Sequence, residues 1–358
     1  MDANILKLID SEKVDVELLN ETDDKVCAID YFGCLSESID EFEEKAWNKK
    51  EGYKTPRFNS LTAGLEGWDS GFYVLAAQAN VGKSAALLNI MEDLVTCPDN
   101  KLFGIYFSLD DNKNKLIPRI VAMRESLPIS LVSKPGRYQK MVQENHPDAI
   151  HIAQQLDKRK EGINRLKAES NKMMVVDNTD IKTWSDIKNT VQRVYNYVKS
   201  MDEEYNIVVA LDSLADIEPG EGSKLTENER IDIVSKLAKD LSTELDIIVM
   251  ASMHLRKLNG NRRPSLDDCK ASNRLEYEAD VIWLLYNDVS RNKEAAKIYS
   301  RGANEGDPKQ PILELDWAKN KISSYKGRTF CYFSPEYSKA IECDEDDTRR
   351  FNSLVYQI

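Results

Sequence analysis

The chain has 358 residues, 41% hydrophobic and 31% charged, with 49 Lys and Arg against 61 Asp and Glu for a net charge of −12. That balance excludes a generally basic nucleic-acid coat and fits an ordinary soluble globular chain. The acidity is segregated: residues 1–56 hold 15 acids against 7 bases, residues 335–358 hold 6 against 3, and the middle is close to neutral. A near-neutral middle is free to present a basic face.

The first 35 residues mix acids with isolated aliphatics and show no strong period. Residues 36–48 are expected to form a helix, with Ser36 or Ser38 as cap and Ile39, Phe42 and Ala46 near one face. That face packs either on its own domain or on a neighbouring subunit. Lys49–Pro56 reads as an exposed linker, so 1–56 is an acidic N-terminal arm. From Phe58 strands alternate with helices. Strands are expected at 71–77, 102–109, 173–176, 207–211, 247–252, 281–286, 312–318 and 328–333, with helices at 83–95, 112–125, 184–201 and 227–244. Such alternation predicts an α/β fold with a doubly wound, mostly parallel sheet over residues 57–334. Residues 133–172 read as polar surface helices, and 335–358 as an acidic tail.

The longest apolar runs, such as Ile247–Ala251 and Val281–Tyr286, are too short to span a bilayer. The N-terminus lacks the pattern of a signal peptide. The six cysteines form no Cys-x-x-Cys pair and the three histidines form no ligand cluster. Reduced thiols, no structural zinc, no membrane and a cytoplasmic location (the host cytoplasm if the chain is viral) are the expectations.

The strand ending at Ala77 runs through Gln78 into Ala79, Asn80, Val81, Gly82, Lys83, Ser84 and Ala85, and then into a helix. Strand, loop and helix in that order make a phosphate cradle, because backbone N–H groups and the helix N-terminus face the anion. Lys83 would reach the β- and γ-phosphates of ATP and Ser84 would ligate Mg²⁺. The first glycine of the usual pattern is Ala77 here. Ile207–Asp212 is an apolar strand ending in an acid, which would hold Mg²⁺ or simply end the strand in a turn. Asp110, after the strand 102–109, would orient the attacking water or cap the following helix. Arg256, Lys257, Arg262, Arg263, Lys270 and Arg274 follow His254 and are opposed only by Asp267 and Asp268. Such a loop would track a single-stranded backbone or be a solvated charged loop.

Several of these stretches, in order, resemble the hexameric replicative helicases of the bacterial DnaB and phage type. Thr62–Trp68 and Val74–Ser84 are similar to that family's first motif, Phe107–Asp110 with Arg119 to its Ser-Leu-Glu motif, and Val209–Leu214 to its Walker B strand. Ala251–Arg256 resembles its sensor strand, Arg263–Asp280 its DNA loop, and Lys319-Asn320-Lys321 its Lys-x-Arg finger. The resemblance covers about residues 58–333. It implies a RecA-like core in a homo-oligomeric ring, a hexamer, working as an ATP-dependent helicase of 5′–3′ type on single-stranded DNA. It implies that Asp110 orients water, His254 senses the γ-phosphate, and Lys319 and Lys321 act on the neighbouring subunit's ATP. A primase, a helicase loader or a single-strand-binding protein would be its partners. The chain departs from the family with Asp110 in place of Glu and Lys321 in place of Arg, changes that bear on turnover. Two other functions remain open at this level: a RecA- or RadA-like recombination or regulatory ATPase that binds DNA without unwinding forks, and a slow nucleotide-switch assembly factor.

Overall fold

The computed structural model describes residues 35–48, 51–169, 171–220, 224–258, 260–269, 273–300 and 307–356. The chain divides into two compact units, 1–51 and 52–358. In the first, helix α1 (Leu35–Asn48) occupies the span expected for a helix and exposes Leu35, Ile39, Phe42 and Trp47. The remainder of the acidic arm before it lies outside the described residues.

The second unit runs through helix α2 (Asn59–Leu65), strand β1 (Gly71–Ala77), α3 (Lys83–Thr96), β2 (Leu102–Ser108) and α4 (Lys113–Glu125). Three surface helices follow, α5 (Ile129–Ser133), α6 (Pro135–Gln143) and α7 (Ala149–Ala168). Then come β3 (Met173–Asp177), α8 (Trp184–Met201), β4 (Asn206–Asp212), α9 (Glu227–Leu245), β5 (Ile248–His254), α10 (Asn273–Glu278) and β6 (Val281–Asn287). The last elements are α11 (Asp288–Asn292), β7 (Tyr299–Ser300), β8 (Gln310–Asn320), β9 (Arg328–Ser334), β10 (Lys339–Glu342) and α12 (Glu345–Tyr356).

The strands form one sheet in the order β10-β9-β8-β6-β1-β5-β4-β2-β3, with β7 paired to β8. From β6 to β3 every pairing is parallel, and β8, β9 and β10 extend the sheet antiparallel. The sequence of β1, Gly-Phe-Tyr-Val-Leu-Ala-Ala, is apolar throughout because both its faces are covered. Tyr73, Leu75 and Ala77 join one core with Leu87, Ile90 and Leu94 of α3. Phe72, Val74 and Ala76 join the other with Ile187 of α8 and Val234 of α9. Side-chain alternation along a strand thus divides one sequence between two cores.

Two expectations need correction. Residues 53–56 are not an exposed linker: Tyr53 exchanges backbone hydrogen bonds with Trp68, and Thr55 is buried, its Oγ1 accepting from the Trp68 indole. Residues 335–358 are not simply a charged tail. Lys339–Glu342 pairs with β9, and α12 buries Phe351 against Phe330 with ring centroids 5.5 Å apart. The six acids around one buried aromatic hid that packing. Among the described residues no helix is long and apolar enough to cross a membrane, and the four described cysteines are free and buried.

Candidate active site

Ala77, where a phosphate loop has its first glycine, is the last residue of β1, pairs with His254 of β5, and accepts from the Leu255 N–H at 2.9 Å. Strand backbone suits any residue, so no glycine is needed there. The left-handed positions come later, at Asn80 (φ 63°) and Gly82 (φ 118°). A side chain at Gly82 would be strained, and its Cβ would lie 3.1 Å from the Phe333 ring. Helix α3 then starts at Lys83 with no side-chain cap, leaving its first N–H groups for an anion. Of the seven loop residues expected at the phosphate site, Ala79, Asn80, Gly82, Lys83, Ser84 and Ala85 line a cleft of about 660 Å³. Val81 instead turns into the core, and its carbonyl accepts from Asn287 at 3.5 Å.

The cleft lies at the carboxyl ends of the parallel strands, where open α/β sheets hold ligands. Lys83 is buried, with Nζ 3.3 Å from His254 Nε2. Burial lowers the Lys83 pKa against the pull of Asp212, Asp110 and Asp216. Burial, helped by the Lys83 charge, also lowers the His254 pKa below its ordinary value of 6.5. The imidazole is therefore neutral at pH 7, and Nε2, when unprotonated, accepts from the Lys83 ammonium.

Asp212 ends β4 between β2 and β5. Tyr106 of β2 donates its O–H to Oδ2 at 2.8 Å, and Ser252 of β5 donates to Oδ1 at 2.5 Å. Burial and the adjacent carboxylate push the Tyr106 phenol far above its usual range. Asp110 is exposed and borders both the main cleft and a smaller one of about 320 Å³, as does His254. It is not the cap of α4. Asn112 is, its side chain accepting from the Lys115 N–H at 3.2 Å. Its neighbour Asp111 also lines the main cleft, tied to Lys115 (3.0 Å) and Arg119 (2.8 Å).

Mg²⁺ suits this donor set. Among the described residues no three His, Cys, Asp or Glu side chains converge as a metal cage. Mg²⁺ bound with a nucleotide needs none, since it takes one or two protein oxygens and keeps its other ligands from phosphate and water. Ser84 could supply such an oxygen, and Asp212 could hold one of the waters.

Lys319 and Lys321 lie at the other edge of the sheet. Lys319 pairs with Ile282 near the start of β6, and the Lys321 N–H bonds the Asp280 carbonyl. Both ammonium groups donate to main-chain carbonyls at the end of α10: Lys319 to Glu276 and Tyr277, and Lys321 to Tyr277 at 2.6 Å. Burial and the Lys321 charge lower the Lys319 pKa to about 8. Lys319 is level with Ile282, whereas Asn287 at the end of β6 lines the cleft and donates to the Val81 carbonyl, so most of the length of β6 separates these lysines from the loop of their own chain.

The basic loop needs a correction. Arg263 does not face outward as a free cation. It forms a bidentate pair with buried Glu314 of β8 at 2.7 and 2.8 Å, and its guanidinium lies 4.9 Å from the Tyr286 ring centre. Arg262 is similarly bidentate to Asp268, at 2.7 and 2.5 Å, on the surface. Arg274 pairs with Glu278 at 3.3 Å. Arg256 and Lys257 are exposed and make no ion pair among the described residues, and Lys270 lies outside them. Sequence reasoning missed Tyr106, Ser252 and Asn287, because a hydroxyl or amide inside an apolar strand gives no sign of the strand that will lie beside it. It also missed Phe333 and Ser338 as cleft walls, though the aromatic end of β9 was a visible signal.

The profile of the DnaB-like helicase C-terminal domain matches residues 52–339. The chain is 26% identical over 271 residues to a probable replicative DNA helicase of Trieres chinensis, covering 74% of this chain and 51% of that protein. It is 23% identical over 296 residues to the replicative DNA helicase DnaB of Geobacillus stearothermophilus, covering 82% and 55%. The chain thus spans about half the length of these relatives. Its fold is similar to that of a separately solved ATPase domain (TM-score 0.66, 21% identity, 87% of this chain and 99% of that one). It is also similar to a DnaB-like replicative helicase solved for its interactions with primase (TM-score 0.63, 20% identity, 92% and 74%). The match over residues 52–339, together with a RecA-like sheet and its phosphate loop, makes the chain a member of the DnaB-like helicase C-terminal domain family.

Proposed function

We propose that this chain is the ATP-hydrolysing motor of a replicative DNA helicase, a homo-oligomeric hexameric ring that moves along single-stranded DNA. The observation that carries the reading is the separation of two half-sites. Lys83, Asp110, Asp212 and His254 gather at the carboxyl edge of the sheet, while Lys319 and Lys321 sit at the other edge. Copies joined head to tail bring one copy's lysines to the next copy's cleft, and such heterologous contacts close into rings.

In the cleft, the N–H groups at the start of α3 and the Lys83 ammonium bind the β- and γ-phosphates of ATP. Mg²⁺, held by Ser84 and, through water, by Asp212, would offset phosphate charge. Asp110 orients the attacking water and accepts its proton as the bond from γ-phosphorus to the bridging oxygen breaks and ADP leaves with the electron pair. His254, neutral and in contact with Lys83, registers the γ-phosphate, and Lys319 and Lys321 add positive charge from the neighbouring copy. His254 also opens the segment that carries Arg256 and Lys257, so loss of the γ-phosphate moves the exposed cations on single-stranded DNA. A primase, loader or single-strand-binding protein would engage the assembled ring.

ATP turnover measured with and without single-stranded DNA, with fork unwinding and particle imaging, tests this. Rings with DNA-stimulated hydrolysis and unwinding are expected. Nucleotide binding with no DNA-stimulated turnover would overturn the motor reading and leave a nucleotide switch.

A further inference from the structure

We infer that Tyr106 and Ser252 are positioning residues that hold the Asp212 carboxylate for a water-mediated contact with the divalent cation. The inference rests on the ATP site proposed above and deepens it. Asp212 is 6% exposed, and a carboxyl group so placed requires hydrogen-bond partners. The donors found are two neutral hydroxyls, one from each flanking strand, one on each oxygen: Tyr106 to Oδ2 at 2.8 Å and Ser252 to Oδ1 at 2.5 Å. Hydroxyls satisfy the oxygens without adding a charge of their own.

Sheet register explains the clamp. Tyr106 faces Ala210 across β2 and β4, and Leu211 faces Ala251 across β4 and β5, so the residue after each partner brings Ser252 beside Asp212. Tyr106, Ala210 and Met250 all contribute to the core on the α3 face. By alternation Asp212 and Ser252 project to that same face, beneath the phosphate loop. With one hydroxyl fixed on each oxygen, rotation of the carboxylate breaks both bonds. Each oxygen keeps lone-pair capacity for a further donor, such as a water on the cation.

The test is Mn²⁺ binding to the full chain with a non-hydrolysable ATP analogue, read by electron paramagnetic resonance. Binding of the analogue in chelator is measured in parallel. In Tyr106→Phe and in Ser252→Ala, Mn²⁺ affinity is expected to fall about tenfold, as for other residues that orient a metal's ligand. Chelator-resistant analogue binding should remain unchanged, and Ser252→Thr, which keeps the hydroxyl, should restore Mn²⁺ affinity. Folded variants that bind Mn²⁺ like the wild type overturn the inference. Should Tyr106→Phe fail to fold, the Ser252 pair decides alone. A wild-type chain that shows no metal-dependent analogue binding overturns the proposed ATP site itself, an outcome distinct from a variant without effect.

Discussion

The two edges of the sheet are built on opposite principles. At the carboxyl edge the charged groups answer one another within the chain: Lys83 lies against His254 and is drawn by three aspartates, and Asp212 is clamped by two hydroxyls. At the other edge Lys319 and Lys321 hold two positive charges side by side, and both ammonium groups donate to the Tyr277 carbonyl. On the proposed reading the first receives a small anionic ligand. The second is a concentration of charge with local backbone contacts, which an opposing polyanion would relieve. Difference in self-sufficiency is what makes the head-to-tail ring a physical expectation.

The largest effects should come from the carboxyl edge. Asp110→Asn removes the proton acceptor while keeping the side chain's shape, and turnover should drop by about 10²–10⁴-fold with nucleotide affinity retained, as measured by steady-state hydrolysis and by binding of a fluorescent analogue. Lys83→Ala should instead lose both. An Asp110→Asn chain that hydrolyses ATP at the wild-type rate would remove that residue from the mechanism.

At the other edge, Lys321→Ala should cut turnover by about 10²-fold, less than an arginine finger is worth because a point charge lacks the bidentate fork. Lys321→Arg should raise turnover. Neither variant should alter nucleotide binding by a dilute, unassembled chain, whereas an effect there would erase the distinction between the edges.

The basic loop tests a finer contrast between cations turned inward and outward. Arg263→Ala leaves Glu314 buried without its partner and should cost about 3 kcal/mol of stability in denaturant unfolding. Lys257→Ala should leave stability unchanged and reduce the salt slope of single-strand binding by about 0.7. Equal stability losses would show that Arg263 is not anchored.

The smallest effect concerns pH. Lys319 has a folded pKa lowered to about 8 from its ordinary value of 10.5. Its charged form is thus penalised in the folded chain, fully so below pH 8. Between about pH 8 and 10.5 the unfolded chain holds more protons, so this group's contribution to stability rises with pH there. Thermal unfolding of wild type and Lys319→Met, compared across that window, should show the rise only in the wild type.

Much of this was legible in the sequence. Strand and helix alternation from Phe58 onward specified the parallel sheet, since each buried strand needs a covering helix and each leaves an apolar run. Gly82-Lys83-Ser84 pointed to a loop between β1 and α3, and Ala77 lies in strand backbone. What was hidden depended on partners distant in the chain. Glu314 lies 51 residues from Arg263, so a run of cations read as uniformly outward. Phe351 stands among the charges of α12, and its burial comes from the distant cluster of Ile298, Ile312 and Phe330. Tyr106 sits in an apolar strand, and nothing local marks its hydroxyl as the support of Asp212. The assignment of Lys319 and Lys321 to a neighbour's site rests on family resemblance, to which the structure adds the separation of the two edges.

The most direct measurement is complementation between chains. Lys83→Ala and Lys321→Ala chains are each expected to turn over ATP at about a hundredth of the wild-type rate or less, and coexpressed at equal levels they should recover it to about a quarter of wild type, the share of head-to-tail interfaces that pair an intact loop with an intact finger. Wild-type turnover by Lys321→Ala alone, or a mixture no more active than its parents, would contradict an active site assembled from two copies.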